Sequence, residues 1–487
     1  MYFNSYVFIL IFLPLVVFGY YLFLDKLGET ASHRWLLLAS LLFCGYLNWR
    51  FAFIVLVCSV IGYCFIYAVS KSEAGFRYKK NMLILGVVSH ISILFVFKYY
   101  NFFVDTVNQI TKKEFRGLEL LMPLGISFYT FQQIAYLIDC YKDSSKRMAF
   151  EKYLLFVLYF PKFLQGPIIL YEDFHPRLCQ VDKDKKYDSI GQGLYWFASG
   201  LAKKVLIADI LARMVDAGYG NIEELNATSA IFVMIAYSLQ LYFDFSGYSD
   251  MACGIGKMLQ IDLPVNFDSP YKATSVTDIW SRWHITLTRF FTRYVYIPLG
   301  GNRKGVRRMY VNTLIIFLLS GLWHGAAWTF VIWGMLHGVV YCISKWRKQA
   351  KIFVPNVVGW FLTFSFWVGS FAIFRAQNLE EAKKIFTRVV SGKWDRLEKL
   401  LFDSVESVME IRVLQRVDVW DLIDSYHEIV PIAILLFGMV ICLCADNTQQ
   451  RVKRMKYSAG NMIWVVFLLV YCVMSLSGVN VFLYANF

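Results

Sequence analysis

Long stretches without a charged side chain restrict what this sequence can fold into before any motif is read. Phe3–Leu24 contains no Asp, Glu, Lys or Arg, and neither does Val311–Ser320 or Ala326–Tyr341. Crossing a bilayer takes roughly 20 apolar residues as a helix. The composition agrees: 58% of the 487 residues are hydrophobic and 17% are charged, against about 45–50% and about 25% in soluble domains. The expectation is an all-α, polytopic integral membrane protein. Candidate membrane segments fall at 3–24, 35–49, 51–69, 82–104, 119–140, 153–170, 190–215, 228–250, 310–322, 326–344, 357–374, 430–445 and 461–483. They amount to roughly eleven to thirteen, depending on how many are short, interfacial or re-entrant. The first lacks a basic leader and an A-x-A cleavage site, so it reads as a retained span.

The formal charge of +14 is explained by basic loops beside anionic lipid rather than by nucleic acid, for which no motif is present. Lys71–Lys80, Arg303–Arg308, Lys345–Lys351 and Arg451–Lys456 are short and basic, which places them in the cytoplasm. Residues 310–344 then leave and return as a hairpin, with His324 near its apex or at mid-depth. The connector 376–428 and the tail 482–487 fall outside. The ten cysteines show no CxxC spacing, so neither a disulfide framework nor a metal site is expected.

His324 sits in Ser320-Gly321-Leu322-Trp323-His324-Gly325, inside apolar chain. An ionisable group at membrane depth is costly and is a functional candidate by default, and imidazole takes and returns a proton near neutral pH. Gly321 and Gly325 let a backbone or a ligand approach closely. The opposing reading is a core histidine with satisfied hydrogen bonds.

A second region runs Asn266-Phe267-Asp268-Ser269-Pro270-Tyr271 and then Ser275 to Asn302, where a capping-box-like Ser275 and Asp278 open a helix that Pro298 and Gly300-Gly301 end. At 3.6 residues per turn, Trp280, Trp283, Leu287, Phe291 and Tyr294 share one face, and Arg282, Arg289 and Arg293 another. This predicts one amphipathic helix with its arginines toward phosphate or water. His284 lies at the edge of the aromatic face, where catalysis and packing are both open. His337 reads as structural, and His33, His90, His175 and His427 give no signal. Asp244 and Asp250 lie in apolar chain, either as a proton relay or paired with arginine to fix helix packing; Asp139 and Lys98 carry the same ambiguity. No G-x-S-x-G elbow, P-loop or Rossmann fingerprint occurs, so the chain has no serine-hydrolase module.

Trp280-Ser281-Arg282-Trp283-His284-Ile285-Thr286-Leu287, Tyr296-Ile297-Pro298-Leu299-Gly300-Gly301-Asn302-Arg303 and Gly321-Leu322-Trp323-His324-Gly325 resemble the membrane-bound O-acyltransferase (MBOAT) family, closest to its bacterial alginate O-acetylation branch. Met122–Phe131, Phe160–Pro167 and Phe243–Asp250 fit the same branch. Ser281 stands where many relatives carry a second basic residue. The resemblance implies a single domain over 1–487, a ring of roughly eleven transmembrane helices with interfacial and re-entrant helices, and a cytoplasmic tunnel meeting an outer funnel at the histidines. It implies His324 as the catalytic histidine and His284 as the second.

The tail Phe482-x-Tyr484-x-x-Phe487 resembles the terminal aromatic signature of this branch. It implies Tyr484 as an acyl relay, against the alternative of an aromatic interface anchor. The implied activity takes acetyl from a cytoplasmic thioester such as acetyl-CoA, with no tightly bound cofactor. The acceptor is a cell-surface or exported polysaccharide, reached through an extracytoplasmic SGNH-type partner from a bacterial inner (plasma) membrane. The nearest rival is D-alanyl transfer to teichoic acid. A glycan or lipid transporter is a rival of another class, but the paired halves common in transporters are not found.

Overall fold

The computed structural model describes residues 1–71, 73–408, 411–412, 425–455, 458–476 and 482–483. Among them the protein is all helical, apart from one isolated antiparallel bridge between Phe267 and Trp283. Among the described residues, five helices are long and apolar enough to cross a membrane: Val7–Leu27, Trp49–Val69, Phe76–Thr111, Ala227–Met258 and Asn356–Arg375. The pair Ile429–Cys444 and Thr448–Arg454, bent by 57°, makes a sixth if taken as one span.

Several expected spans take other forms. Residues 153–170 are helical only over Phe150–Leu158, followed by a short turn at Phe160–Lys162. Pro161 and Pro167 remove backbone donors there and stop the helix. Residues 190–215 become Lys186–Ala202 and Asp209–Gly220, joined through a π-helical turn at Lys203–Ala208.

Chain contacts define two compact units, Met1–Phe197 with Tyr248–Val265 and Ala198–Gly247 with Asn266–Leu483. In the first, Val7–Leu27 packs on Glu29–Leu47, and Ile126–Lys142 packs against Trp49–Val69 and Phe76–Leu94. Its interior is partly polar: the Tyr153 hydroxyl donates to Gln133 Oε1 at 2.8 Å, and the same oxygen stands 3.3 Å from His90 Nε2. Both pairs are buried, where an unmade hydrogen bond would cost about 1–3 kcal/mol.

The second unit holds both candidate histidines. Its centre is a hairpin of Val306–His324 and Trp328–Gln349, against which Asn356–Arg375 and Val276–Arg282 pack. The connector after Ala376 is also structured in part. Asn378 caps Leu379–Ser391 through the Glu381 N–H (2.9 Å), and Ala382 and Ile385 are buried. Glu223 receives Lys384 at 3.0 Å and Arg388 at 2.6 Å. Those hydrogen bonds hold the Glu223 carboxyl below its ordinary pKa.

Candidate functional site

Ser275 caps the helix after it as expected, its Oγ accepting the Asp278 N–H at 3.2 Å. The single amphipathic helix expected from Ser275 to Pro298 is not formed. The chain breaks at His284 into Val276–Arg282 and Ile285–Phe291. His284 occupies the left-handed region, with φ 46° and ψ 51°. For a residue with a Cβ this is uncommon, and it stores of order 1–3 kcal/mol.

Asn266 holds the break in place. Its carbonyl accepts the Ile285 N–H at 3.0 Å, and its side-chain Oδ1 accepts the Thr286 hydroxyl at 2.6 Å. The Phe267–Trp283 bridge fixes the other side. The aromatic face survives the break: Trp280, Trp283, Leu287, Phe291 and Tyr294 are all buried. The arginine stripe does not act as one unit. Arg282 bonds Asp278 Oδ1 at 2.9 Å and the Asp268 carbonyl at 3.2 Å, so it is committed to protein rather than to phosphate.

His324 is the last residue of its helix, and Gly325 continues in extended conformation. The flanking glycines serve backbone approach. A Cβ on Gly321 would lie 2.3 Å from the Phe330 carbonyl, and one on Gly334 would lie 2.4 Å from the Phe317 carbonyl. The two hairpin helices therefore meet main chain to main chain. A Cβ on Gly325 would enter the Phe330 ring.

This geometry brings the two predicted histidines together. Their ring centres are 6.4 Å apart, with His284 wholly buried and His324 3% exposed. Around them stand Phe245 (4.9 Å from His284), Trp323 (5.0 Å from His324), Trp333 (5.1 Å) and Phe374 (5.4 Å). Such an enclosure excludes water and strengthens any charge developing at an imidazole.

His337, expected to be structural, sits one helix turn beyond Trp333. It stands 2.9 Å from Ser370 Oγ through Nε2 and accepts from the Trp280 indole at 3.3 Å through Nδ1. That indole contact assigns the proton to Nε2.

A cavity of ≈ 290 Å³ is lined by Ser281 and Leu287, on either side of His284 in sequence, and by Ser320. Its walls run from Lys345 and Asn302, next to the basic loops, past Ser281 and Trp280 to Ser320. Ser320 lies one helical turn before His324. Neither His284 nor His324 is among its lining residues.

Of the two candidate carboxylates, Asp244 pairs with lysine rather than arginine: Lys204 Nζ is 2.6 Å from it. Asp250 accepts the Trp196 indole N–H at 3.0 Å. Tyr484, the third predicted site residue, lies outside the described residues. Sequence reasoning gave no role to Lys204, a lysine within the apolar stretch 190–215, or to Ser320, and it marked Asn266–Tyr271 without finding the clamp.

Two buried, neighbouring histidines in a helical membrane protein make a candidate proton-handling site. Comparison with known proteins resolves the class. Residues 41–380 match the model of MBOAT, the membrane-bound O-acyltransferase family, and the chain belongs to that family. It is a multi-pass membrane O-acyltransferase.

The chain is 39% identical to the peptidoglycan O-acetyltransferase of Helicobacter pylori, over 80% of this chain and 79% of that protein. It is 38% identical to the probable alginate O-acetylase AlgI of Pseudomonas aeruginosa, over 82% of this chain and 76% of that one. A teichoic acid D-alanyltransferase of Bacillus subtilis is similar at 28% identity, over 52% of this chain and 69% of its own.

Proposed function

We propose that this enzyme moves an acetyl group from a cytoplasmic thioester, of the acetyl-CoA kind, toward hydroxyls of an exported or cell-surface polysaccharide, in the inner (plasma) membrane of a bacterium. The observation that carries this reading is the His284–His324 pair, with 6.4 Å between ring centres, beside a cavity walled from Lys345 to Ser320. The similarity to polysaccharide O-acetyltransferases supports acetyl as the group.

The basic loops beside Lys345 assign that end of the cavity to the cytoplasm. The thioester enters there, its carbonyl carbon brought up beyond Ser320. His324 is the general base: it removes the proton of an attacking hydroxyl, whose oxygen bonds the carbonyl carbon. The carbon–sulfur bond breaks, and the thiolate leaves and is protonated from the imidazolium. One bridging oxygen with hydrogen bonds of roughly 2.9 Å can reach both rings, which gives His284 a positioning role. The attacking hydroxyl is that of Tyr484, which carries the acetyl ester outward to an SGNH-type partner for delivery to the glycan. Because Trp323, Trp333 and Phe374 surround His324, this reading requires those rings to part during transfer.

The test compares cells carrying wild type, His324→Ala and Tyr484→Phe at matched protein levels. Ester-linked groups are released from surface glycan by mild base and identified by chromatography. Loss of acetate in both variants is the expected result. Retention in His324→Ala removes the catalytic assignment, and released D-alanine instead of acetate replaces the donor.

A further inference from the structure

The catalytic argument leaves one buried charged cluster unused. Lys204, on the π-helical turn Lys203–Ala208, reaches Asp244 Oδ1 at 2.6 Å and Asp209 Oδ1 at 2.8 Å. Lys204 and Asp244 are almost fully buried. Taking such groups out of water is costly unless each is matched, and a buried ion pair adds little stability over an apolar substitute. Helix packing alone is therefore a poor account of the cluster.

Two further contacts of the cluster are with the tail. The second oxygen of Asp244, Oδ2, accepts the main-chain N–H of Leu483 at 3.0 Å. The Phe482 ring lies 4.6 Å from the Lys204 ammonium and is 1% exposed. An ammonium over an aromatic face is attracted by the ring quadrupole, more strongly when desolvated.

We propose that Lys204, Asp244 and Asp209 form a receptor for the aromatic tail segment, a peptide-binding site inside the membrane domain. The site reads residue 482 by its ring and residue 483 by its main-chain N–H. Lys204 and Asp244 act as positioning residues: by fixing the two residues before Tyr484, they set where that hydroxyl is presented. The inference deepens the acyl-relay reading, and its purpose rests on it, but docking itself requires no ester. Because residue 483 is read through the backbone, its side chain is free to vary, whereas proline, which lacks the donor, is excluded.

The experiment measures how fast chymotrypsin cleaves after Tyr484 in the detergent-solubilised full-length protein. The rate is followed by mass spectrometry and normalised to the free peptide of the same tail sequence. Lys204→Met/Asp244→Leu removes both charges together, and Leu483→Pro removes only the donor. Each is expected to raise cleavage at least tenfold in monodisperse protein, while Leu483→Ala, which keeps the N–H, stays within threefold of wild type. Wild-type protection in the monodisperse double variant overturns the receptor. If the double variant does not fold, equal cleavage of Leu483→Pro and Leu483→Ala overturns it instead, since neither change touches the helices. Surface acetyl esters separate the two readings: faster cleavage with esters retained leaves the receptor standing and removes the relay. Tyr484→Phe is expected to lose the esters without losing protection at Phe482, read as cleavage after residue 482.

Discussion

His324 and His337 are both buried imidazoles of one hairpin, and the Trp333 indole touches both, at 5.1 and 4.5 Å between ring centres. Their surroundings diverge in the polar partners. His337 is fixed between the Trp280 indole and the Ser370 hydroxyl, which in turn donates to the Trp367 carbonyl at 2.8 Å. A ring held at both nitrogens has its tautomer set and its lone pair committed. His324 instead faces a second imidazole, beside a cavity that approaches to within a helical turn. Burial alone therefore does not separate the two rings. What separates them is the neighbour: a second imidazole for His324, a tryptophan and a serine for His337.

That contrast is broken or sharpened by substitution at each side. The largest effect is expected at His324→Ala: a fall of about 10³-fold in transfer rate, the scale of a lost general base, with the thermal midpoint of the purified protein nearly unchanged. A variant that unfolds in proportion to its lost activity would place His324 with His337. His337→Ala is expected to act the other way. It strands the Trp280 donor and the Ser370 acceptor and costs about 2–4 kcal/mol of stability, read as a lowered midpoint. Activity per folded molecule should hold to within a few-fold, and a normal midpoint with abolished turnover would erase the distinction. Gly321→Ala pushes a methyl group into the Phe330 carbonyl and should cost about 1–3 kcal/mol; unchanged stability would mean the hairpin separates freely.

The smallest effect belongs to Glu223, on the surface. Its pKa is depressed by Lys384 and Arg388, so its contribution is present above the unfolded carboxyl value and fades as pH falls through the lower folded one. Glu223→Gln should therefore soften the docking of Leu379–Ser391 slightly at neutral pH and not at all in strong acid. Hydrogen exchange in that helix is the measurement, and equal exchange at both pH values counts against the ion pair.

Much of this arrangement was legible in the sequence. The apolar runs indicated a helical membrane protein, and the motifs around His284 and His324 pointed to the family. The burial of Trp280, Trp283, Leu287, Phe291 and Tyr294 followed from periodicity. The break at His284 did not. A wheel continues smoothly through a residue that turns left-handed, and the cause, Asn266, is a tertiary partner eighteen residues away. The same holds for the stop after Leu158, where hydropathy stays high but Pro161 removes the donor. Asp244 was recognised as a buried charge, yet its partner could not be read from neighbours in sequence, because Lys204 and Leu483 reach it from distant parts of the chain.

The glycine seam between Val306–His324 and Trp328–Gln349 has a mechanical consequence. Main chain meets main chain at Gly321 and Gly334, and Phe317 packs on Tyr341 and His324 on Trp333 across the same two helices, so the pair is built to move together, carrying His324, Trp323 and Trp333. Phe374 comes from Asn356–Arg375 and Phe245 from Ala227–Met258, outside this pair. An opening that leaves this helix pair intact falls on the side bearing these two phenylalanines, and probes of opening belong on Phe374 and Phe245.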